Sequence, residues 1–122
     1  MAKSAPVGPR LRVVIEPDIA IGPGKADLLE AIRDTGSISA AGRKLGMSYR
    51  RAWLLVDELN QHLGAPVVDA VTGGARGGGA VLTPTGAEVL SRYRNMESAC
   101  RQAIAADVQA LRALIRRNQR QK

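Results

Sequence analysis

The chain contains no phenylalanine, and its 122 residues include one cysteine, one histidine, one tryptophan and two tyrosines. A single cysteine, Cys100, forms neither an internal disulfide nor a cysteine-based metal site, which is typical of an intracellular protein. The single histidine, His62, has no second histidine with which to share a metal ion. We therefore expect a protein that holds no metal and no cofactor.

Long apolar runs are also missing from the sequence. No run approaches the roughly 18 residues that a transmembrane helix requires. Residues 1–6 include a proline and lack the apolar core of a secretory signal peptide. We expect no contact with a membrane and a location in the cytoplasm, at the nucleoid of a prokaryote.

The charge of the chain is unbalanced, since 18 lysines and arginines face 11 aspartates and glutamates, for a net charge of +7. Such an excess favours a polyanionic partner. Surface charge that serves only solubility gives the same number, so motifs must decide between nucleic acid and an ordinary solvated surface.

Apolar spacing and turn residues predict a mainly α chain with a small β component. The predicted elements are a strand over 11–16, a helix over 25–35, a short helix from Ser37, a helix over 49–63, a hairpin of strands 67–71 and 79–82, and a last helix over 84–118. Pro17 and the cluster Gly22-Pro23-Gly24 are expected to break the chain. Gly36 is expected to end the first helix, and Ser48 to cap the third.

The last predicted helix is long for so small a chain. Thr83 suits its N-cap and Pro84 its first position. Its apolar residues recur every three or four positions, at Tyr93, Met96, Cys100, Ile104, Val108, Leu111 and Ile115. A stripe of this length favours contact with the same helix of a second copy, which predicts a homodimer. The alternative is that the stripe packs back on its own domain.

The segment 37–60 has the pattern of a helix-turn-helix. Two helices that cross steeply need small residues at their contact, as Ala40 and Ala41 provide, and a turn residue that tolerates positive φ, as Gly46 provides. The apolar anchors are Ile38, Leu45, Met47, Ala52 and Val56. Together with the hairpin, this segment predicts a winged helix-turn-helix. Trp53 either joins the core or shapes the surface beside the hairpin, and we favour the core.

A helix-turn-helix that binds DNA presents polar and basic residues where its second helix enters the major groove. The residues that we expect to contact DNA are Ser48, Tyr49, Arg50 and Arg51 at that end, Arg43 and Lys44 in the preceding helix, and Arg76 in the hairpin loop. Arg50 and Arg51 pair either with guanine edges or with phosphates only. The alternative is a solvated charged face and a loop arginine without a contact.

Three stretches, at 36–42, at 46–53 and at 71–74 together with 77–83, resemble the DNA-binding domain of the ModE family of molybdate-responsive regulators. The resemblance covers about residues 11–118, and the LysR-type domain is similar more distantly. It implies that the long C-terminal helix forms a dimer and that the turn, the recognition helix and the wing contact DNA. Full-length ModE proteins carry molybdate-binding domains that would begin near Lys122. The resemblance therefore implies DNA binding but not molybdate sensing, and a stand-alone protein or a piece of a longer one both fit.

An enzyme is disfavoured by failed motifs. Gly24-Lys25 lacks the earlier glycine and the following serine or threonine of a phosphate-binding loop. Cys100 has no histidine near it in sequence, and the adjacent Asp57 and Glu58 point to different sides of a helix. A protein-interaction module and an architectural, sequence-independent DNA-binding protein remain as alternatives.

We therefore predict a flexible leader (1–10), a winged helix-turn-helix domain (11–83), a dimerisation helix (84–118) and a basic tail (119–122). The predicted function is a sequence-specific transcriptional regulator that binds double-stranded DNA as a dimer. Its operator would be roughly palindromic, with half-sites one helical turn or a multiple of a turn apart. The effector, and the choice between repression and activation, stay open.

Overall fold

The computed structural model describes residues 8–71 and 79–120. Residues 1–7 of the predicted leader, the loop residue Arg76 and the last two residues of the basic tail lie outside these ranges. The described elements are β1 (Val13–Glu16), β2 (Ile19–Ile21), α1 (Pro23–Thr35), α2 (Ile38–Lys44), α3 (Tyr49–Leu63), β3 (Val68–Val71), β4 (Gly79–Leu82) and α4 (Pro84–Arg120). The mainly helical class with small hairpins is confirmed.

The N-terminal strand is half of a hairpin, which sequence analysis missed. β1 pairs antiparallel with β2, with Val13 opposite Ile21. The predicted break at Pro17 is the turn between them. β2 has three residues, too few for an alternating pattern to stand out. The predicted break at Gly22-Pro23-Gly24 is wrong in part, because α1 begins at Pro23, whose fixed φ suits the first helical position.

The ends of the helices follow the predicted caps. Gly36 ends α1 in the left-handed conformation, with φ of 72°. The hydroxyl of Ser37 accepts a 3.1 Å hydrogen bond from the amide of Ala40. The hydroxyl of Ser48 accepts one of the same length from the amide of Arg51, so α3 starts where the sequence predicts.

The second hairpin, β3 with β4, is called the wing below. Its strands pair antiparallel, with Val68 opposite Leu82. Thr83 follows it and caps α4 as predicted, because its hydroxyl accepts a 3.0 Å bond from the amide of Gly86. The same hydroxyl donates a 2.7 Å bond to the carbonyl of Pro66, so the start of α4 is fixed to the entry of the wing.

The core surrounds α1. That helix buries Ala26, Leu28, Leu29, Ala31 and Ile32, against which pack the buried sides of α2, α3 and the start of α4. From α4 the main contribution is Tyr93, which is fully buried and donates its hydroxyl hydrogen to the carbonyl of Leu11. Burial raises the pKa of the Tyr93 phenol.

Arg94 attaches α4 to α1 through three carboxylates. Its guanidinium lies 2.9 Å from Asp27, 3.3 Å from Glu30 and 2.8 Å from Glu97. Partial burial alone would lower the pKa of Arg94, but the hydrogen bonds to Asp27 and Glu97 outweigh it, and the pKa is raised. This cluster sets the direction in which the long helix leaves the domain.

Within residues 8–71 and 79–120, nothing covers the far end of α4. The helix has 37 residues, which corresponds to a length of about 55 Å. Residues 109–120 are exposed on every side, including Leu111, Leu114 and Ile115 of the apolar stripe. The alternative in which the whole stripe packs back on its own domain is therefore wrong for this end.

Within the described residues, no helix has a stretch long and apolar enough to cross a membrane.

Candidate nucleic-acid interface

Helices α2 and α3 meet across the turn at residues 45–48. Gly46 in this turn has φ of 71°, as predicted for a residue that must tolerate the left-handed region. The closest approach is at Gly42, where an added Cβ would lie 3.3 Å from the carbonyl oxygen of Met47 and 3.4 Å from the Cβ of Ala52. Sequence analysis assigned this contact to Ala40 and Ala41. Ala41 is buried, but Ala40 is half-buried and Gly42 makes the close contact.

Helix α3 has one buried side and one free side. Ala52, Val56 and Leu59 are buried, as the spacing of the sequence predicts. At 3.6 residues per turn, the opposite side carries Arg50, Leu54 and Asp57, all exposed. The free side is therefore centred on positions 50 and 54, in the first two turns of the helix.

The structure brings most of the predicted DNA-contacting residues to one surface. Tyr49, Arg50 and Arg51 are exposed at the start of α3, and Arg43 and Lys44 are exposed at the end of α2. Ser48 is exposed between the two helices, with its hydroxyl engaged in the cap of α3. The position of Arg76 relative to this surface lies outside the described residues.

This surface has an uncompensated positive charge. Residues 35–56 contain four basic residues, Arg43, Lys44, Arg50 and Arg51, and no acidic residue. In the part of the chain that the structure describes, all salt bridges are made by other cations, in α1, in α4 and at His62. Arg43 donates a 2.9 Å hydrogen bond to the hydroxyl of Ser39. Because this hydroxyl is neutral, it does not offset the positive charge of Arg43. None of the four is held in a salt bridge in this part of the chain, although Arg51 lies near enough to Glu58 to contribute to lowering the pKa of that carboxyl.

Trp53 is not in the core, so that prediction is wrong. Its residue surface is 43% exposed, and its ring meets the ring of Tyr49 edge-on, with centroids 6.2 Å apart and planes at 74°. One step along a helix rotates a side chain by about 100°, which carries position 53 from the buried side of Ala52 to the flank that faces the wing. The two aromatic rings thus form one edge of a groove between α3 and the wing.

Two backbone amides attach the wing to the helix-turn-helix, and a third closes its base. The amide of Val67 donates a 2.8 Å bond to the side-chain carbonyl of Asn60 in α3. The amide of Ala80 donates a 2.8 Å bond to the carbonyl of Gly36, where α1 gives way to α2. The amide of Thr83 closes the base of the wing by donating to Val67. The strands of the wing therefore keep a fixed place beside the recognition helix.

An ion pair that sequence analysis missed connects α1 with α3. The ammonium of Lys25 lies 2.8 Å from the Glu58 carboxylate and donates a further 3.0 Å bond to the carbonyl of Ala20. The hydrogen bond from Lys25 lowers the pKa of Glu58. Sequence analysis considered Lys25 only as part of a phosphate-binding loop that failed. The two residues are 33 positions apart, so no local pattern connects them.

The fold and this surface define a helix-turn-helix of the DNA-binding class. The family model described as "Bacterial regulatory helix-turn-helix protein, lysR family" matches residues 25–87, which is just over half of the chain. The chain therefore belongs to the lysR family of bacterial regulatory helix-turn-helix proteins, which are not enzymes.

Among the described residues, no group of histidine, cysteine, aspartate and glutamate is arranged to hold a metal ion.

Within that family the chain is homologous to the N-terminal regions of ModE and Mop proteins. It is 50% identical over 78 residues to the molybdenum-pterin-binding protein MopB of Rhodobacter capsulatus, which covers 64% of this chain and 29% of that protein. It is 36% identical over 83 residues to the DNA-binding transcriptional dual regulator ModE of Escherichia coli K12, which covers 68% of this chain and 32% of that protein. The chain thus spans about a third of the length of these curated relatives. The predicted resemblance to the ModE family is confirmed.

Solved structures agree on the fold. The CbnR_DBD–DNA complex superposes with a TM-score of 0.55 at 23% identity, over 71% of this chain and 95% of that one. Full-length LysG of Corynebacterium glutamicum superposes with a TM-score of 0.52 at 25% identity, over 76% of this chain and 28% of that one.

Proposed function

We propose that this chain is the DNA-binding part of a sequence-specific transcriptional regulator that acts as a homodimer. The observation that carries the proposal is the exposed surface of α2 and α3, where four basic residues stand without an acidic one between residues 35 and 56. Phosphates of double-stranded DNA are the natural partners of such a surface. The protein would act in the cytoplasm, at the bacterial nucleoid.

The two arginines of the recognition helix take different roles in this proposal. Arg50 lies on the free side of α3 with Leu54 and Asp57, so it projects toward the floor of a major groove and pairs with a base edge, guanine being the usual partner. Arg51 lies on the flank with Leu55 and Glu58, beside the N-terminal hairpin. From that flank it contacts a phosphate.

The remaining predicted residues position the protein on the DNA backbone. Arg43 and Lys44, at the end of α2, contact phosphates on one side of the recognition helix. Tyr49 and Ser48 lie where α3 enters the groove, and Arg76 of the wing loop contacts the neighbouring minor groove. These contacts give affinity and register, while Arg50 gives sequence preference.

The homodimer rests on α4. Leu111 and Ile115 continue the stripe that includes Ile104 and Val108, and both are more than half exposed, at 59% and 56%. When a helix leaves its domain with an exposed apolar stripe, the same stripe of a second copy can pack against it and bury both. Twofold symmetry then predicts a roughly palindromic operator.

A selection experiment tests sequence preference directly. The purified chain is used to enrich duplexes from a random library, and the enriched site is then measured against the Arg50→Ala and Arg51→Ala variants. We expect Arg50→Ala to weaken binding to the enriched site about 5- to 150-fold and to relax preference at one base pair per half-site. Arg51→Ala should weaken binding to all duplexes alike and reduce the dependence on salt.

Arg92→Ala is the matched control, since Arg92 is an exposed arginine on α4 that pairs with Glu88 and lies away from the helix-turn-helix. It removes the same charge and should leave the enriched site unchanged. If Arg50→Ala and Arg51→Ala both bind the enriched site like the wild type, the assignment of these residues is wrong. If no duplex is enriched but all bind, the architectural alternative is correct, and if none binds at low salt, a protein-interaction module is correct.

A further inference from the structure

The free side of the recognition helix is unexpectedly apolar. Leu54 is 55% exposed and Trp53, the only tryptophan of the chain, is 43% exposed beside it. Most large apolar residues of the helix-turn-helix and α1 are buried or pack partly buried against the core, to which α3 already supplies Ala52, Val56 and Leu59. The core therefore does not explain why a leucine stands at the centre of the free side.

Leu54 lies one helical turn after Arg50, on the same side of α3. The two side chains line one shallow surface together with Tyr49, Trp53 and Asp57. Because Arg50 is at the centre of the surface that enters the groove under the proposed function, Leu54 faces the same row of base edges one turn further along. The first two turns of a recognition helix are the part that reaches bases.

The floor of the major groove offers one kind of apolar group. Guanine, cytosine and adenine present hydrogen-bond donors and acceptors there, whereas thymine also presents its C5 methyl group. A leucine that faces polar edges would remove water from them without replacing their hydrogen bonds, which costs binding energy. A leucine that faces a thymine methyl group buries apolar surface on both partners.

We propose that Leu54 reads a thymine methyl group in the major groove, with the ring of Trp53 packed at its side toward the wing. The inference rests on the proposed function and deepens it, because it names the base that the apolar part of the surface selects. Each half-site would then contain a thymine close to the base pair that Arg50 reads.

A protein partner that docks on the same apolar side is the competing occupant. The surface around Leu54 favours DNA, because Arg50 lines it and the segment 35–56 carries four basic residues and no acidic one. Asp57 is the single acid on this side, and its carboxylate accepts a 3.1 Å hydrogen bond from Gln61, turned toward the next turn of α3. The apolar contact therefore lies beside Arg50 on a segment of net positive charge, which favours DNA over an apolar protein partner.

The test uses deoxyuridine, which differs from thymidine only by the missing methyl group. In the duplex enriched by the wild-type chain, each thymine is replaced by uracil in turn, and binding is measured by fluorescence anisotropy for the wild type and for Leu54→Ala. We expect one uracil position per half-site to weaken wild-type binding about fourfold, the effect of one methyl group withdrawn from an apolar contact. Leu54→Ala should bind the thymine duplex more weakly and be insensitive to uracil at that position.

Leu63→Ala is the matched control, since Leu63 is also an exposed leucine, at 39%, and lies at the far end of the same helix. It should keep the full response to uracil. The inference is overturned if Leu54→Ala binds like the wild type, or if it keeps the same response to uracil at every position. If the wild type enriches no sequence at all, the proposed function fails and this inference fails with it, whereas enrichment without a Leu54-dependent uracil effect removes the inference alone.

Discussion

The amide of Ala80 donates a 2.8 Å hydrogen bond to the carbonyl oxygen of Gly36, which joins the second strand of the wing to the end of α1. The preceding residue, Gly79, approaches the same oxygen so closely that an added Cβ would lie 2.7 Å from it. The position of the wing relative to the recognition helix therefore requires a glycine at position 79.

Gly79→Ala should displace the wing strand from Gly36. The added methyl group meets a backbone oxygen that has no rotamer by which to move away, so we expect a loss of about 1–3 kcal/mol in the free energy of unfolding. Urea denaturation followed by circular dichroism measures this loss. Gly24→Ala is the control, because an added Cβ there meets nothing within 4 Å and the residue lies in α1. That variant should be stabilised by about 0.5–1 kcal/mol.

Arg94→Met should loosen α4 from α1. Its side chain is 29% exposed and its guanidinium pairs with Asp27, Glu30 and Glu97 together, so its loss leaves three carboxylates without their shared cation. We expect a loss of about 1–3 kcal/mol, below the range for a fully buried pair because the cluster is partly hydrated. Arg92→Ala breaks an exposed pair with Glu88 and should cost less than about 0.5 kcal/mol. Equal losses for the two variants in urea denaturation would contradict this role for Arg94.

The pair of Lys25 with Glu58 should make stability depend on acid pH. Because the pKa of Glu58 is lower in the folded chain than in the unfolded chain, the folded chain binds fewer protons, and stability falls as the pH decreases. The contribution is complete above the unfolded pKa and is lost as the pH falls through the folded pKa.

Glu58→Gln removes this contribution. The wild type should therefore be more stable than Glu58→Gln at neutral pH, and the two should become alike once the pH is below the folded pKa of Glu58. Thermal unfolding over a pH series measures the difference. A difference between them that stays constant down to the most acidic condition would show that the charge of Glu58 is not the cause.

The apolar end of α4 should control the oligomeric state. Ile115→Asp places a charge in the stripe that we propose to be covered by a second copy, and sedimentation equilibrium should then find a monomer where the wild type is a dimer. Ala113→Asp introduces the same charge on the opposite side of α4, in a residue that is also exposed. It should remain a dimer. A wild-type chain that is monomeric at all accessible concentrations would contradict the homodimer.

The sequence predicted the parts of the fold that local chemistry decides. Helix α3 runs from Tyr49 to Leu63 as predicted, because the Ser48 cap and the buried spacing of Ala52, Val56 and Leu59 all lie within one segment. The second strand of the N-terminal hairpin was missed, since three residues carry too little pattern and its pairing with β1 is a tertiary matter.

The candidate site was predicted less completely, for a similar reason. The exposure of the basic residues of α2 and α3 was predicted correctly, because exposure of a charge is the default in any fold. Trp53 was wrongly assigned to the core, because its place depends on how much of the flank of α3 the wing leaves open. Neither the Lys25–Glu58 pair nor the close contact of Gly42 with Ala52 has a local signal.

Sequence-specific DNA binding is the central claim, and fluorescence anisotropy of the purified chain tests it most directly. The enriched duplex and a scrambled duplex of the same composition are titrated over a salt series. We expect tighter binding to the enriched duplex, with an affinity that falls linearly on a log–log plot against salt because phosphate contacts release counterions. Binding that is absent at low salt, or present but insensitive to salt, would contradict it.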